Sequence, residues 1–245
     1  MPDFLTLLFA EPVVSAAYVV FGMVGFGSTL IAAPLLAHVL PVTTVVPTMA
    51  LTDLIAAWSN GWRLSSHVAR RELMRLIPTL FIGSAFGAYV LFSLPLKLLM
   101  TLLGVFVLLY ALNGLRPQKP KPHLSIHWAW WYGMAGGTLS ALFGAGGWVY
   151  SIYLVRRLDD PQQIRATQNA ILMVSSFIRV GLFVAAGRLL DRELLLLVLT
   201  LLPALALGLY VGHRITLTLD RRRFMQVLYG VLLLTGSSLV VRSLL

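Results

Sequence analysis

Long apolar runs separated by short polar stretches make up almost the whole chain. They fall at 4–40, 42–62, 73–92, 96–115, 127–155, 163–187, 193–212 and 223–244. Each reaches the roughly 20 residues that an α-helix needs to cross the hydrocarbon core of a bilayer. The pattern predicts an all-α integral membrane protein. The first and fifth runs are too long for one crossing, and both contain glycine clusters: Gly22 to Leu30 (GMVGFGSTL) and Phe143 to Gly147 (FGAGG). Each glycine costs a helix interior about 1 kcal/mol. Both runs are therefore expected to break there into a re-entrant hairpin.

The stretch RPQKPKPHLS, Arg116 to Ser125, holds three prolines and three bases and divides the chain. A first membrane repeat at 1–115, a linker at 116–126 and a second repeat at 127–245 are expected, forming one transmembrane domain. Pro78, Gly83 and Gly87 form P-x4-G-x3-G, and Pro203, Gly208 and Gly212 match it at offset 125. Lys97 and Gly104 match Arg223 and Gly230 at offset 126. Gly25-Phe26-Gly27-Ser28 aligns with Gly144-Ala145-Gly146-Gly147 at offset 119, and Pro41 with Pro161 at offset 120. Anchors in one order with a slowly drifting offset point to two copies of one unit, each with four hydrophobic segments.

Composition changes the picture by excluding a soluble protein. The 245 residues are 58% hydrophobic and 11% charged, whereas soluble domains carry about a quarter charged residues. The net charge of +10 does not indicate nucleic acid, because the bases sit in short loops between apolar runs. Residues 1–22 hold no Lys or Arg and include Glu11; a retained first segment is expected there rather than a signal peptide.

Charge placement distinguishes two topologies. If every segment crosses once, the bases divide ten against eight, which is no bias. If segments one and five double back, the 63–75 loop, the linker, the 156–165 loop and the 214–223 loop share a side. The division is then fourteen against four, with Lys97, Arg188, Arg192 and Arg242 opposite. That is the asymmetry of the positive-inside rule. Each half then crosses an odd number of times, so the second is inverted relative to the first, with both termini outside and a site near mid-membrane. Trp58, Trp62, Trp128, Trp130, Trp131 and Tyr132 flank the basic loops, at the depth aromatic residues favour.

Candidate chemistry is polar and sparse. A half-helix starting inside the membrane directs free N–H groups and a positive dipole end at whatever lies there, so two glycine breaks suit an anion; close helix packing is the competing reading. Asp53 and Arg179 lie well inside apolar runs, where charges are expected to face a partner, a cavity or a substrate. Arg179 offers bidentate hydrogen bonds to a carboxylate or sulfonate, while Asp53 either pairs with it structurally or carries a coupling proton. Thr48 and Gln168 occupy matching places at offset 120. No metal-ligand spacing, nucleophile elbow or phosphate loop occurs, so no metal, cofactor or enzymatic activity is expected.

The G-F-G-S and G-A-G-G clusters, the following prolines Pro41 and Pro161, and the P-x4-G-x3-G of each half resemble the TauE/SafE sulfite exporter family, also called the toluene-sulfonate uptake permease group. The resemblance spans nearly the whole chain. It implies a bacterial inner-membrane transporter of small sulfur-containing anions such as sulfite or sulfonates. It also implies that the glycine clusters and the start of the following helix line the path. Those positions are Gly25, Gly27, Ser28 and Thr48 in the first half, and Gly144, Gly146, Gly147, Thr167, Gln168 and Asn169 in the second. The family's double glycine is Gly27-Ser28 here.

The expected function is secondary transport of a small anion by alternating access, with the lipid bilayer as second partner and a homodimer left open. A non-transporting membrane scaffold is the alternative, and an intramembrane enzyme a distant third.

Overall fold

The computed structural model describes residues 4–61, 67–115, 122–189, 191–215 and 221–244. Trp62, Arg63 and linker residues 116–121 lie outside the described residues. Those described form ten helices and no strand: α1 Phe4–Val24, α2 Ser28–Leu36, α3 Val42–Gly61, α4 Arg70–Ser93, α5 Leu96–Leu115, α6 Trp128–Phe143, α7 Gly146–Val155, α8 Pro161–Ala185, α9 Arg192–Ile215 and α10 Arg221–Leu244. Six of them, α1, α3, α4, α5, α8 and α9, are long and apolar enough to cross a bilayer. Large apolar side chains cover the outside, with Leu5 and Leu234 about three-quarters exposed at 75% and 76%. Such a surface suits hydrocarbon.

Local sequence sets the helix ends. The Asp160 side chain accepts from the Gln162 backbone N–H at 2.8 Å, with Pro161 at the first helical position of α8, a pairing that starts a helix well. α4 stops at Leu94, whose backbone is extended because the ring of Pro95 disfavours the helical region in the residue before it.

Both over-long runs break. α7 does not continue the axis of α6: Gly146 and Tyr150 both lie against Gly136, which a straight helix would leave about 15 Å or more away. Likewise Tyr18 of α1 and Ser28 of α2 reach the same carboxylate oxygen of Asp53.

The main packing pairs all join the two sides of the linker: α1 on α9, α4 on α6, α3 on α8 and α5 on α10. Glycines allow the first two. A Cβ on Gly83 or Gly87 would overlap the carbonyls of Met134 or Thr138 on α6, and one on Gly208 or Gly212 would overlap those of Ser15 or Val19 on α1. The two P-x4-G-x3-G stretches thus do the same mechanical work, admitting a neighbouring backbone where any side chain would exclude it.

Hydrogen bonds sort the loops by end. Glu72 of α4 accepts from Arg157 at 2.8 Å and from Tyr153 at 2.6 Å. Arg157 donates to the Leu124 carbonyl at 3.0 Å, and Arg156 to that of Pro122 at 3.1 Å. Residues 67–75, 122–127 and 156–160 therefore gather at one end. At the other end of α4, about 30 Å away, Arg188 lies over the Phe92 ring. Arg242 donates to the His38 carbonyl at 2.8 Å, and His38 pairs with Ser238 at 3.0 Å. The stretches 67–75, 122–127 and 156–160 belong to the side that carries fourteen of the bases in the uneven division, whereas residues 216–220 of its fourth stretch, 214–223, lie outside the described residues.

Gly83→Ala is expected to lower stability by about 1–3 kcal/mol through overpacking. Gly181→Ala, where a Cβ meets nothing within 4 Å, is expected to be neutral. Thermal melts of the two variants in detergent check the contrast.

Candidate functional site

The deepest polar cluster centres on Asp53, eleven residues into α3. Its carboxylate is 7% exposed and accepts from four side chains on three other helices. Tyr18 of α1 donates to Oδ1 at 2.9 Å, and Ser28 donates to the same atom. Thr29 donates to Oδ2 at 2.6 Å, and Nη1 of Arg179 does so at 3.3 Å from α8. Ser28 and Thr29 are the first two residues of α2. The carboxylate therefore lies beside the positive end of that helix, where a negative charge is favoured.

Arg179 is less satisfied. It is 2% exposed, and its Nε and Nη2 are buried without a hydrogen-bond partner. Donors left bare in an apolar interior are unfavourable by about 1–3 kcal/mol each, more for charged groups. The free Nε–Nη2 edge is the face of a guanidinium that takes two oxygens of one oxyanion. Tyr150 of α7 adds a buried hydroxyl that lies beside Ser175 and Arg179 without closing a hydrogen bond.

The two glycine breaks meet beside this cluster. Gly25, Gly27 and Gly144 have left-handed backbones, with φ of 87°, 98° and 65°, a region closed to most side chains. Gly144 packs directly on Thr29, and Gly147 on Phe26, so the turn of each hairpin rests on the other. Gly146 opens α7 against the Gly136 carbonyl and Ser140. Gln168 donates to the Gly147 carbonyl at 2.6 Å and leaves its own Oε1 buried and unpartnered. The Asn169 side-chain oxygen lies at Gly25.

Of the residues singled out in the sequence, Ser28, Asp53 and Arg179 come together, and Gly25, Gly27, Gly144, Gly146, Gly147, Gln168 and Asn169 line the meeting of the breaks. Thr48 and Thr167 do not join them. The Thr48 hydroxyl donates to Thr44 within its own helix at 2.8 Å, and that of Thr167 accepts from the Ala69 backbone at 2.9 Å. Sequence reasoning missed Tyr18, Thr29 and Tyr150. Thr29 adjoins a chosen residue, and Tyr18 is a polar group inside an apolar run; Tyr150 carries no comparable signal. It gave no partner to Arg157 in the 156–165 loop. Arg157 is tied to Glu72, which raises its pKa further above its usual value by hydrogen bonding. Among the described residues no cluster of His, Asp or Glu is arranged to hold a metal ion.

Gly27→Ala adds left-handed strain of about 1–2 kcal/mol in open space and is expected to yield folded protein with a lowered melting point. Gly144→Ala adds the same strain and an overlap with Thr29, and is expected to lose most folded protein. Size-exclusion yield and detergent melts distinguish them.

Comparison with known proteins gives one family: that described as sulfite exporter TauE/SafE matches residues 12–239. The chain is also 23% identical over 190 residues to the probable inner membrane transporter protein TsaS of Comamonas testosteroni, covering 77% of this chain and 80% of that one. No solved structure matches the chain.

Proposed function

The chain belongs to the sulfite exporter TauE/SafE family, a family of membrane transporters, and from that premise we propose that it is a secondary transporter of small, most suitably sulfur-containing anions. Sulfite, sulfonates and sulfoacetate-like compounds are the class. The observation that carries this reading is the pair of buried, unpartnered N–H groups on Arg179, which suit two oxygens of a single anion. Tyr150 and the meeting of the two breaks complete the site.

Alternating access follows from an inverted pair of repeats, 1–115 and 127–245, joined by the 116–126 linker. Support comes from the packing: α1 on α9 has a counterpart in α6 on α4, and α3 and α5 pack on their own counterparts α8 and α10. The end rich in bases faces the cytoplasm by the positive-inside rule, and both termini face the periplasm. The relative's name supports the bacterial inner membrane as location.

The test is flux of labelled sulfite, sulfonates and sulfoacetate in proteoliposomes. Each charge-assisted hydrogen bond contributes about 1.5–3 kcal/mol. Arg179→Lys, which keeps the charge but loses the fork, is expected to raise KM by about ten- to a hundredfold, and Arg179→Gln to abolish saturable flux. Arg179→Lys keeps a cation beside Asp53 and should insert and elute as folded protein. The flux of Arg179→Gln is read per folded protein recovered by size exclusion, since its Asp53 keeps only the hydroxyls of Tyr18, Ser28 and Thr29. Wild-type flux that survives both changes places the substrate elsewhere. No flux with any anion of the panel returns the protein to the scaffold reading.

A further inference from the structure

The charge balance around Arg179 bears on what drives transport. We infer that Asp53 carries one proton with each anion, making the protein an electroneutral proton–anion symporter; this rests on the anion site proposed above.

The empty site is neutral. Asp53 and Arg179 face each other at 3.3 Å. The other groups at the carboxyl are hydroxyls: Tyr18 from α1, and Ser28 and Thr29 from α2. Thr52, on α3 itself, turns to the carbonyls of Thr48 and Met49. α7 brings Tyr150 close to Arg179. α9 also packs on α3 but places no hydrogen bond on Asp53. Arg179 is the only Lys or Arg buried among the described residues. An arriving monoanion thus leaves these buried groups one negative charge in excess, with no second buried cation beside them. Unpaired charge is strongly disfavoured in such a medium, and a proton is the smallest countercharge available.

Asp53 is built to take that proton. Three of its four partners are hydroxyls, which rotate to accept as readily as they donate, so a protonated carboxyl would remain fully hydrogen-bonded. Glu72 makes the contrast. It is 5% exposed and held by Arg75 at 2.7 Å and Arg157 at 2.8 Å. Guanidiniums only donate, so Glu72 is fixed as a carboxylate. A protonated Asp53 also releases Nη1 of Arg179, giving the anion a third donor. The loaded and empty sites are then both neutral, and each can reorient without carrying charge across the membrane.

The experiment uses proteoliposomes clamped at zero potential with potassium and valinomycin, and methanesulfonate as the probe. That anion stays ionised throughout, so any proton that moves belongs to the protein. The wild type is expected to concentrate it on the alkaline side by about tenfold per pH unit, with a trapped pH dye reporting one proton per anion and no response to an imposed potential. Asp53→Asn is expected to lose accumulation on a pH gradient, and whatever anion flux it retains is expected to follow the imposed potential. Wild-type accumulation that follows potential rather than pH overturns the inference, as does Asp53→Asn protein that still concentrates the anion on a pH gradient. If that variant fails to insert, the proton count of the wild type decides. Exchange without proton movement defeats this inference alone. No exchange of any anion defeats the function proposed above, and this inference with it.

Discussion

A buried ion pair organises this molecule. Removing either partner of such a pair costs about 3–5 kcal/mol, because the surviving charge has no water to turn to. Asp53 and Arg179 bring α3 and α8 together from opposite sides of the linker, and the hydroxyls of Tyr18, Ser28 and Thr29 fasten α1 and α2 to the same carboxylate. Four helices thus converge on two oxygen atoms. The pair tells each of these helices where to stop sliding.

The glycines provide the closeness that this convergence needs. Those at 83, 87, 208 and 212 let α4 reach α6 and let α9 reach α1, so similar interfaces flank a centre that is not itself symmetric. One break has a carboxylate at its helix start. The other has a bare guanidinium edge, a tyrosine hydroxyl and Gln168 in its neighbourhood. Repetition supplies the frame, and departure from repetition supplies the chemistry.

Much of this was legible in the residues because the bilayer is a strict solvent. It penalises charge and rewards apolar length, so segment positions, the sites of the breaks and the isolated pair Asp53 and Arg179 all stand out. The charge count put residues 67–75, 122–127 and 156–160 on one side, and hydrogen bonds join those stretches. Polar residues with two available partners were harder to place. Thr48 and Thr167 look like Ser28 in sequence, yet a helix carbonyl and a neighbouring N–H take them instead. Threonine can satisfy itself locally, and nothing in its spacing says whether it will. The Arg157–Glu72 pair was hidden for the opposite reason: the two lie 85 positions apart, and only the folded chain shows them as neighbours.

The pairing of helices across the linker also bears on how the protein is made. Synthesis runs at about 5–20 residues per second, and α1 ends at Val24 whereas its partner α9 begins at Arg192. The first helix to leave the ribosome therefore waits roughly ten to thirty seconds in the bilayer before the surface it fits exists. During that interval the backbone carbonyls of Ser15 and Val19 have only lipid to face. Each of the four main packing pairs joins a helix made before the linker to one made after it.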